Sequence, residues 1–292
     1  MPEIAPKTRA GAVHLTVADL DRSLDYYTRA VGLQVAAREN GTARLGSGGD
    51  EDLLVLYEQP GAAAAPHNTG LFHFALLLPS GPDLARWLVH AAENKIALAG
   101  MSDHLVSEAL YLRDPDWHGV EIYRDRPRAE WQVDGRRVAM DSLPLDVQPL
   151  LGSLDGGEPP LEHLPRDTTI GHVHLQVADV AATEDFYAGV LGFDVTAHLG
   201  DQATFLSAGG YHHHIGANTW NSRGASPAPP GSAALRHAEI ILPDELELER
   251  VAGRVSDAGQ EPEPHPAGGV LVRDPAQNTL LLRGGPGAAA LA

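Results

Sequence analysis

Residues 13–17 alternate in character: Val13, Leu15 and Val17 are apolar, whereas His14 and Thr16 are polar. A period of two marks a strand with one face on a core. Directly afterwards the period lengthens. Leu20, Leu24, Tyr27 and Val31 recur at helical spacing, with Asp21 as a candidate N-cap. Gly32 offers the left-handed residue that commonly ends a helix, and a second strand is expected from Leu33.

The unit returns later in the chain. GAVHLTVADLDRSLDYYTRAVGLQV (11–35) aligns with GHVHLQVADVAATEDFYAGVLGFDV (171–195) without a gap. A match of this length indicates two homologous halves. A weaker echo lies inside each half. LFHFALLLPS (71–80) resembles LRHAEIILPD (235–244), and each is followed by a helical stretch, at 83–94 and 245–258. Each then ends in a strand, an Arg-Asp-Pro turn and a strand, at 110–123 and 270–283. The pattern predicts four strand–helix–strands modules, at 10–60, 70–125, 170–220 and 234–284. A first domain is placed at 8–125 and a second at 169–285. The segment 126–168 breaks the rhythm with Pro, Gly and Asp and reads as a linker; 286–292 reads as a flexible tail.

Composition narrows the chemistry. A chain of 292 residues suits two domains. Cysteine is absent, which excludes disulfides, thiolate ligands and a thiol nucleophile. Any metal is therefore held by His, Asp or Glu. A formal net charge of −18 weighs against nucleic acid and anionic membranes as partners. No apolar run is long enough to span a bilayer, and MPEIAPKTRAG has no apolar signal core, so a cytoplasmic protein is expected.

Register between modules turns scattered histidines into a candidate site. The first strand of module 3 carries His172 where module 1 has Ala12. Modules 2 and 4 carry His73 and His237 at the corresponding position. In the last strand, Glu121 of module 2 aligns with Leu281 of module 4. Tyr111 aligns with Leu271 or Val272, and the region of His104 with that of His265. Non-haem Fe(II) sites commonly use two His and one carboxylate on one face of the metal. Neither half completes that set alone. Module 2 with module 3 does, through His73, Glu121 and His172, so the site is expected between the halves. His174 shares the face of His172 and is a candidate substrate contact, whereas His14, at the matching position of module 1, reads as packing. His237 reads as a relic of duplication, or as a further pocket residue.

The residues HLVSEALYLRDPDWHGVE (104–121) resemble the signature of extradiol ring-cleaving dioxygenases in the vicinal oxygen chelate superfamily. The match runs through His104, Leu110-Tyr111, Asp114-Pro115 and Glu121, and is closest to bacterial two-domain catechol 2,3-dioxygenases. It departs at Trp117, where the family prefers Gly or Pro, and at Ser102. A second local match is YHHHIGAN (211–218), which resembles the strand carrying the family's acid/base histidine. His213 fits best, and a one-residue slip would select His212 or His214. On a strand His212 and His214 would share one face and His213 the other.

The resemblance implies an α+β fold: four βαβββ modules in two glyoxalase/bleomycin-resistance/dioxygenase-like domains. It implies Fe(II), with Mn(II) as the alternative, held by His73, Glu121 and His172. It implies a small aromatic diol and O2 as reactants, ring cleavage to a hydroxymuconic semialdehyde, and a homo-oligomer. His213 is then the acid/base, with His104 and Tyr111 stabilising negative charge on oxygen. Three other readings stay open: a metal-dependent glyoxalase or lyase, a hydroquinone-cleaving dioxygenase, and a ligand-sequestering protein without catalysis.

Overall fold

The computed structural model describes residues 3–157 and 159–285, so the tail at 286–292 lies outside the described residues. Module 1 consists of β1 (Arg9–Val17), α1 (Leu20–Asp25), β2 (Gln34–Glu39), β3 (Thr42–Gly46) and β4 (Leu54–Glu58). Module 2 consists of β5 (Gly70–Leu77), α2 (Gly81–Glu93), β6 (Gly100–Asp103), β7 (Ser107–Arg113) and β8 (Gly119–Asp125). The segment read as a linker is structured, with β9 (Val133–Asp134), β10 (Arg137–Val138) and α3 (Val147–Leu151). Module 3 holds β11 (Thr169–Gln176), α4 (Val180–Glu184), β12 (Asp194–Leu199), β13 (Ala203–Ser207) and β14 (Ile215–Asn218). Module 4 holds β15 (Leu235–Leu242), α5 (Glu245–Asp257), β16 (Glu263–Pro264), β17 (Val270–Arg273) and β18 (Thr279–Gly284). No helix among the described residues is long and apolar enough to cross a membrane.

The helix of module 1 starts two residues earlier than its sequence suggests. Asp19, not Asp21, is the N-cap, accepting from the Arg22 N–H at 2.9 Å. Asp19 has the extended backbone a cap requires, whereas Asp21 already lies in the first turn. Asp179 caps α4 in the same way. Both helices then widen into π turns, Tyr26–Val31 and Asp185–Leu191, and stop at left-handed Gly32 and Gly192.

Sheet pairing crosses the sequence halves. One eight-stranded sheet runs β16-β17-β18-β15-β1-β4-β3-β2, and the other runs β12-β13-β14-β11-β5-β8-β7-β6. Modules 1 and 4 therefore share one sheet, and modules 2 and 3 the other. The joints are antiparallel, β1 with β15 and β11 with β5. Alternation decides which face does what. Val13, Leu15, Val173 and Leu175 point into an apolar core that also takes in Tyr27, Trp87 and the helices. The intervening His14, Thr16, His172 and His174 are buried too, because they face the interior of a curled sheet.

A second set of bonds ties the modules of each half together. The Tyr27 hydroxyl donates to Asp114 Oδ2 at 2.8 Å, linking module 1 to module 2. The Tyr187 hydroxyl donates to Asp274 at 3.2 Å, linking module 3 to module 4. Asp114 also accepts from the backbone N–H groups of Asp116 and His118, which fixes the Arg-Asp-Pro turn. Tyr27→Phe removes a donor from a buried carboxyl and is expected to cost about 2 kcal/mol in urea unfolding. Tyr187→Phe is expected to cost less, since Asp274 keeps the Asn278 side-chain N–H at 3.0 Å.

Candidate metal centre

Three strands of the second sheet deliver three donor atoms to one point. On β8, Val120 and Ile122 enter the core, so Glu121 turns inward. On β5, Phe74 and Leu76 do the same, so His73 turns inward. His172 follows by the same parity on β11. The His73 and His172 Nε2 atoms lie 2.9 and 3.1 Å from Glu121 Oε2, and 3.4 Å from each other. Among the described residues this is the group of three His or acidic side chains that converges closely enough to hold a metal ion. The donor set fits such an ion. Ligand bonds of about 2.1 Å at right angles set neighbouring donors roughly 3 Å apart. Burial alone would raise the Glu121 carboxyl, but the His172 and His73 imidazoles override it and hold it well below the usual carboxylate range. Burial lowers His73, against the pull of Glu121.

Close backbone approach makes the room. A Cβ on Gly119 would lie 2.0 Å from the Phe72 carbonyl oxygen and 2.8 Å from the His73 Cβ. A Cβ on Gly216 would lie 2.8 Å from the His174 Nδ1. Only glycine lets β8 and β14 run that close to the site.

The triad forms part of the wall of a cavity of about 340 Å³. On one side stands a polar pair. The His104 Nδ1–H donates to the Asp141 carbonyl at 2.7 Å, and its Nε2 meets the Tyr111 hydroxyl at 2.6 Å. A carbonyl only accepts, so in a neutral His104 the Nε2 accepts from Tyr111. Burial and the Glu121 charge hold the Tyr111 hydroxyl well above its ordinary value, so it stays a donor. Met140, Asp141 and Ser142 close this wall, so the segment read as a linker helps to build the cavity.

The triple histidine is not on a strand. Gly209 and Gly210 both take positive φ and end the hairpin, so residues 211–214 form an irregular turn before β14. The strand expected at His212, His213 and His214 is therefore absent, although His213 still parts from the other two. His213 lines the cavity, its ring centroid 4.0 Å from that of His172. His212 and His214 do not line it. The His214 Nδ1 accepts from the Ala208 N–H at 3.2 Å, and burial pushes this imidazole down to about 3. The His212 Nε2 lies 2.9 Å from Asp125 Oδ1, and its Nδ1 lies 2.7 Å from the His213 Nδ1. The carboxylate only accepts, so His212 donates through Nε2 and accepts at Nδ1. His213 then carries its proton on Nδ1, leaving the Nε2 lone pair free. Trp131, from the 126–168 segment, packs on His212 at 5.3 Å.

His174 lines the cavity with a buried Nε2 that has no hydrogen-bond partner. His237 is elsewhere, in the other sheet. There it stacks on His14 at 4.0 Å, with His265 at 5.4 Å. His14 is not mere packing: its Nδ1 meets the Tyr57 hydroxyl at 3.0 Å and its Nε2 lies 3.5 Å from Glu239. Arg283 takes the same carboxylate at 2.9 Å. Ala12 and Leu281 occupy the positions equivalent to His172 and Glu121, so this sheet lacks the converging set.

Residues 9–122 and 169–282 each match the model of the Glyoxalase/Bleomycin resistance protein/Dioxygenase superfamily. The chain belongs to that superfamily. It is 41% identical over 285 residues to catechol-2,3-dioxygenase of Bacillus subtilis (strain 168), covering 96% of this chain and 99% of that protein. Solved structures share the superfamily fold at low identity. One from Bacillus subtilis subsp. subtilis str. 168 gives a TM-score of 0.67 at 14% identity, covering 99% of this chain and 88% of the other. Glyoxalase I of Zea mays gives 0.57 at 17% identity, covering 94% and 92%.

Sequence register marks the triad, and the resemblance to extradiol dioxygenases marks His104, Tyr111 and His213. Both miss Asp125, His212 as a partner of His213, and the aromatic wall of Phe72, Phe205 and Trp220. Face parity on β8 carries a signal for Asp125, which stands four residues after Glu121 on the same side.

Proposed function

We propose that this chain is an Fe(II)-dependent extradiol dioxygenase that inserts both atoms of O2 into a catechol-type diol, giving a hydroxymuconic semialdehyde. The observation that carries the reading is the convergence of two imidazoles and one carboxylate in a cavity flanked by His213 and by the His104–Tyr111 pair. The 41% identity to a catechol-2,3-dioxygenase supports it.

His73, Glu121 and His172 would hold the metal, which supplies a Lewis acid for the vicinal diol and a redox partner for O2. The three protein donors come from one side, which leaves the cavity side for reactants. His213 takes a substrate hydroxyl proton at Nε2 and later returns it to an oxygen of the opening ring. As it does so, the His212 Nδ1 stays its acceptor and Asp125 faces the developing charge from behind. At the opposite wall the Tyr111 hydroxyl, held at rest on the His104 Nε2, turns to donate to the ring oxygen that carries negative charge. A diol bound at that metal would lie beside these groups, so a difficult encounter would become a positioned one.

The test is anaerobic loading with Fe(II), followed by oxygen-electrode measurement with catechol. The expected result is one O2 consumed per catechol and a yellow semialdehyde product. A loaded protein that consumes no O2, or that yields the muconate of cleavage between the two hydroxyls, overturns the reading.

A further inference from the structure

His213 ends a longer hydrogen-bonded chain. Asp125 Oδ1 takes two donors, the His212 Nε2–H at 2.9 Å and the Tyr211 hydroxyl at 3.2 Å. The Tyr211 oxygen lies 2.9 Å from the Tyr123 hydroxyl. A phenol has one proton, and Tyr211 gives its own to the carboxylate, so Tyr123 donates to Tyr211. Each bond then has one direction. Tyr123 donates to Tyr211 and Tyr211 to Asp125; from the other side His213 donates to His212 and His212 to Asp125. Burial and the Asp125 charge hold the Tyr211 hydroxyl well above its ordinary value, so it stays a donor.

Packing keeps the chain in line. Tyr123 is fully buried on β8, two residues beyond Glu121, with its ring 5.0 Å from that of His172. Its hydroxyl takes the space where a Cβ of residue 171 would stand, and residue 171 is glycine. The Tyr211 ring lies 4.0 Å from that of His212. Trp131 covers both, at 5.9 and 5.3 Å. The Asp125 side chain is 24% exposed, so without Tyr211 its carboxylate is free to turn to water. The other sheet offers a comparison. Pairing registers place Arg283 where β8 has Tyr123, and Gly285 where it has Asp125. Asp50, Glu51 and Asp52 stand at the positions of Tyr211, His212 and His213, since Leu53 and His214 make equivalent backbone bonds. With no side chain at Gly285 the chain cannot form there. It accompanies the metal donors and is missing where they are missing.

We propose that Tyr211 and Tyr123 are positioning residues for the proton transfer: by holding Asp125 Oδ1 on the His212 Nε2–H they fix the tautomers of His212 and His213, so that His213 meets the diol with a bare Nε2. The inference rests on the dioxygenase reading for its reaction, but the tautomers are read without turnover. Imidazole 15N shifts are measured on the chain loaded with diamagnetic Zn(II) in place of iron, with His212→Gln and His213→Gln proteins to assign the two rings. The native chain is expected to show His213 protonated at Nδ1 and His212 at Nε2. Tyr211→Phe is expected to give mixed tautomers at both rings and, in the Fe(II) form, to lower kcat by about tenfold at unchanged iron content and KM. Tyr123→Phe should act in the same direction and less, since Tyr211 keeps its bond to Asp125. In an Asp125→Asn background Tyr211→Phe is expected to add no further loss. Native tautomers and native kcat in a folded Tyr211→Phe protein overturn the proposal. So does a loss that adds fully to that of Asp125→Asn and comes with lowered thermal stability, which is packing alone. Tautomers that shift with Tyr211→Phe, in a chain whose native form cleaves no catechol, uphold the tautomer control and remove the dioxygenase reading instead.

Discussion

Glu121→Ala is expected to empty the metal centre and abolish ring cleavage. Glu121 is the only anionic donor of the set, and it draws both imidazoles to within 3.1 Å of one oxygen. Without it two neutral, buried imidazoles remain, too weak a set to retain a divalent ion. Loss of a partner outside the coordination sphere costs 10- to 100-fold in affinity, so loss of a ligand should cost at least roughly 1000-fold. His73→Ala is expected to behave alike. His237→Ala is the control: it removes an equivalent histidine from the other sheet and should leave iron content unchanged. Metal analysis after anaerobic loading and desalting, with a thermal melt to show folding, checks all three. Full iron content in a folded Glu121→Ala protein would remove the centre from that position.

The second large effect is expected at His213. His213→Gln should lower kcat by about 10²- to 10⁴-fold, the ordinary contribution of a positioned acid/base group, while iron content holds. Asp125→Asn acts one residue further back. Asn can turn an N–H toward the His212 Nε2, forcing the opposite tautomer and leaving the His213 Nδ1–H without its acceptor. The expected loss is on the order of 10- to 100-fold in kcat, with little change in KM. Steady-state kinetics on iron-matched samples resolves this. A fall in KM and kcat together with lost iron would instead assign Asp125 and His212 to holding up the fold.

The sequence exposes the triad because duplication supplies internal controls. Ala12 marks one sheet as incomplete, as does Leu281, and His172 opposite Glu121 marks the other as whole. Strand parity then settles orientation, since Val120 and Ile122 can only face the core. Tertiary contacts carry no such control. The bond between Asp125 and His212 joins positions 87 apart with no periodic signal between them. The turn that lifts 211–214 off the strand depends on Gly209 and Gly210 adopting positive φ, and a strand-like run of polar residues does not reveal that. The 126–168 segment looks like a connection because it lacks a repeat partner. That same singularity lets it wall the cavity with Met140–Ser142 and cover His212 with Trp131.

The exchanged pairing of the sheets bears on ancestry. Each sheet joins one quarter of the chain to a quarter from the opposite half, which is the layout of two identical short proteins clasped together. Such a pair would have owned two equal pockets related by a twofold axis. Once the copies were joined end to end one pocket sufficed, and Ala12 and Leu281 now stand where the second pocket would need its imidazole and its acid.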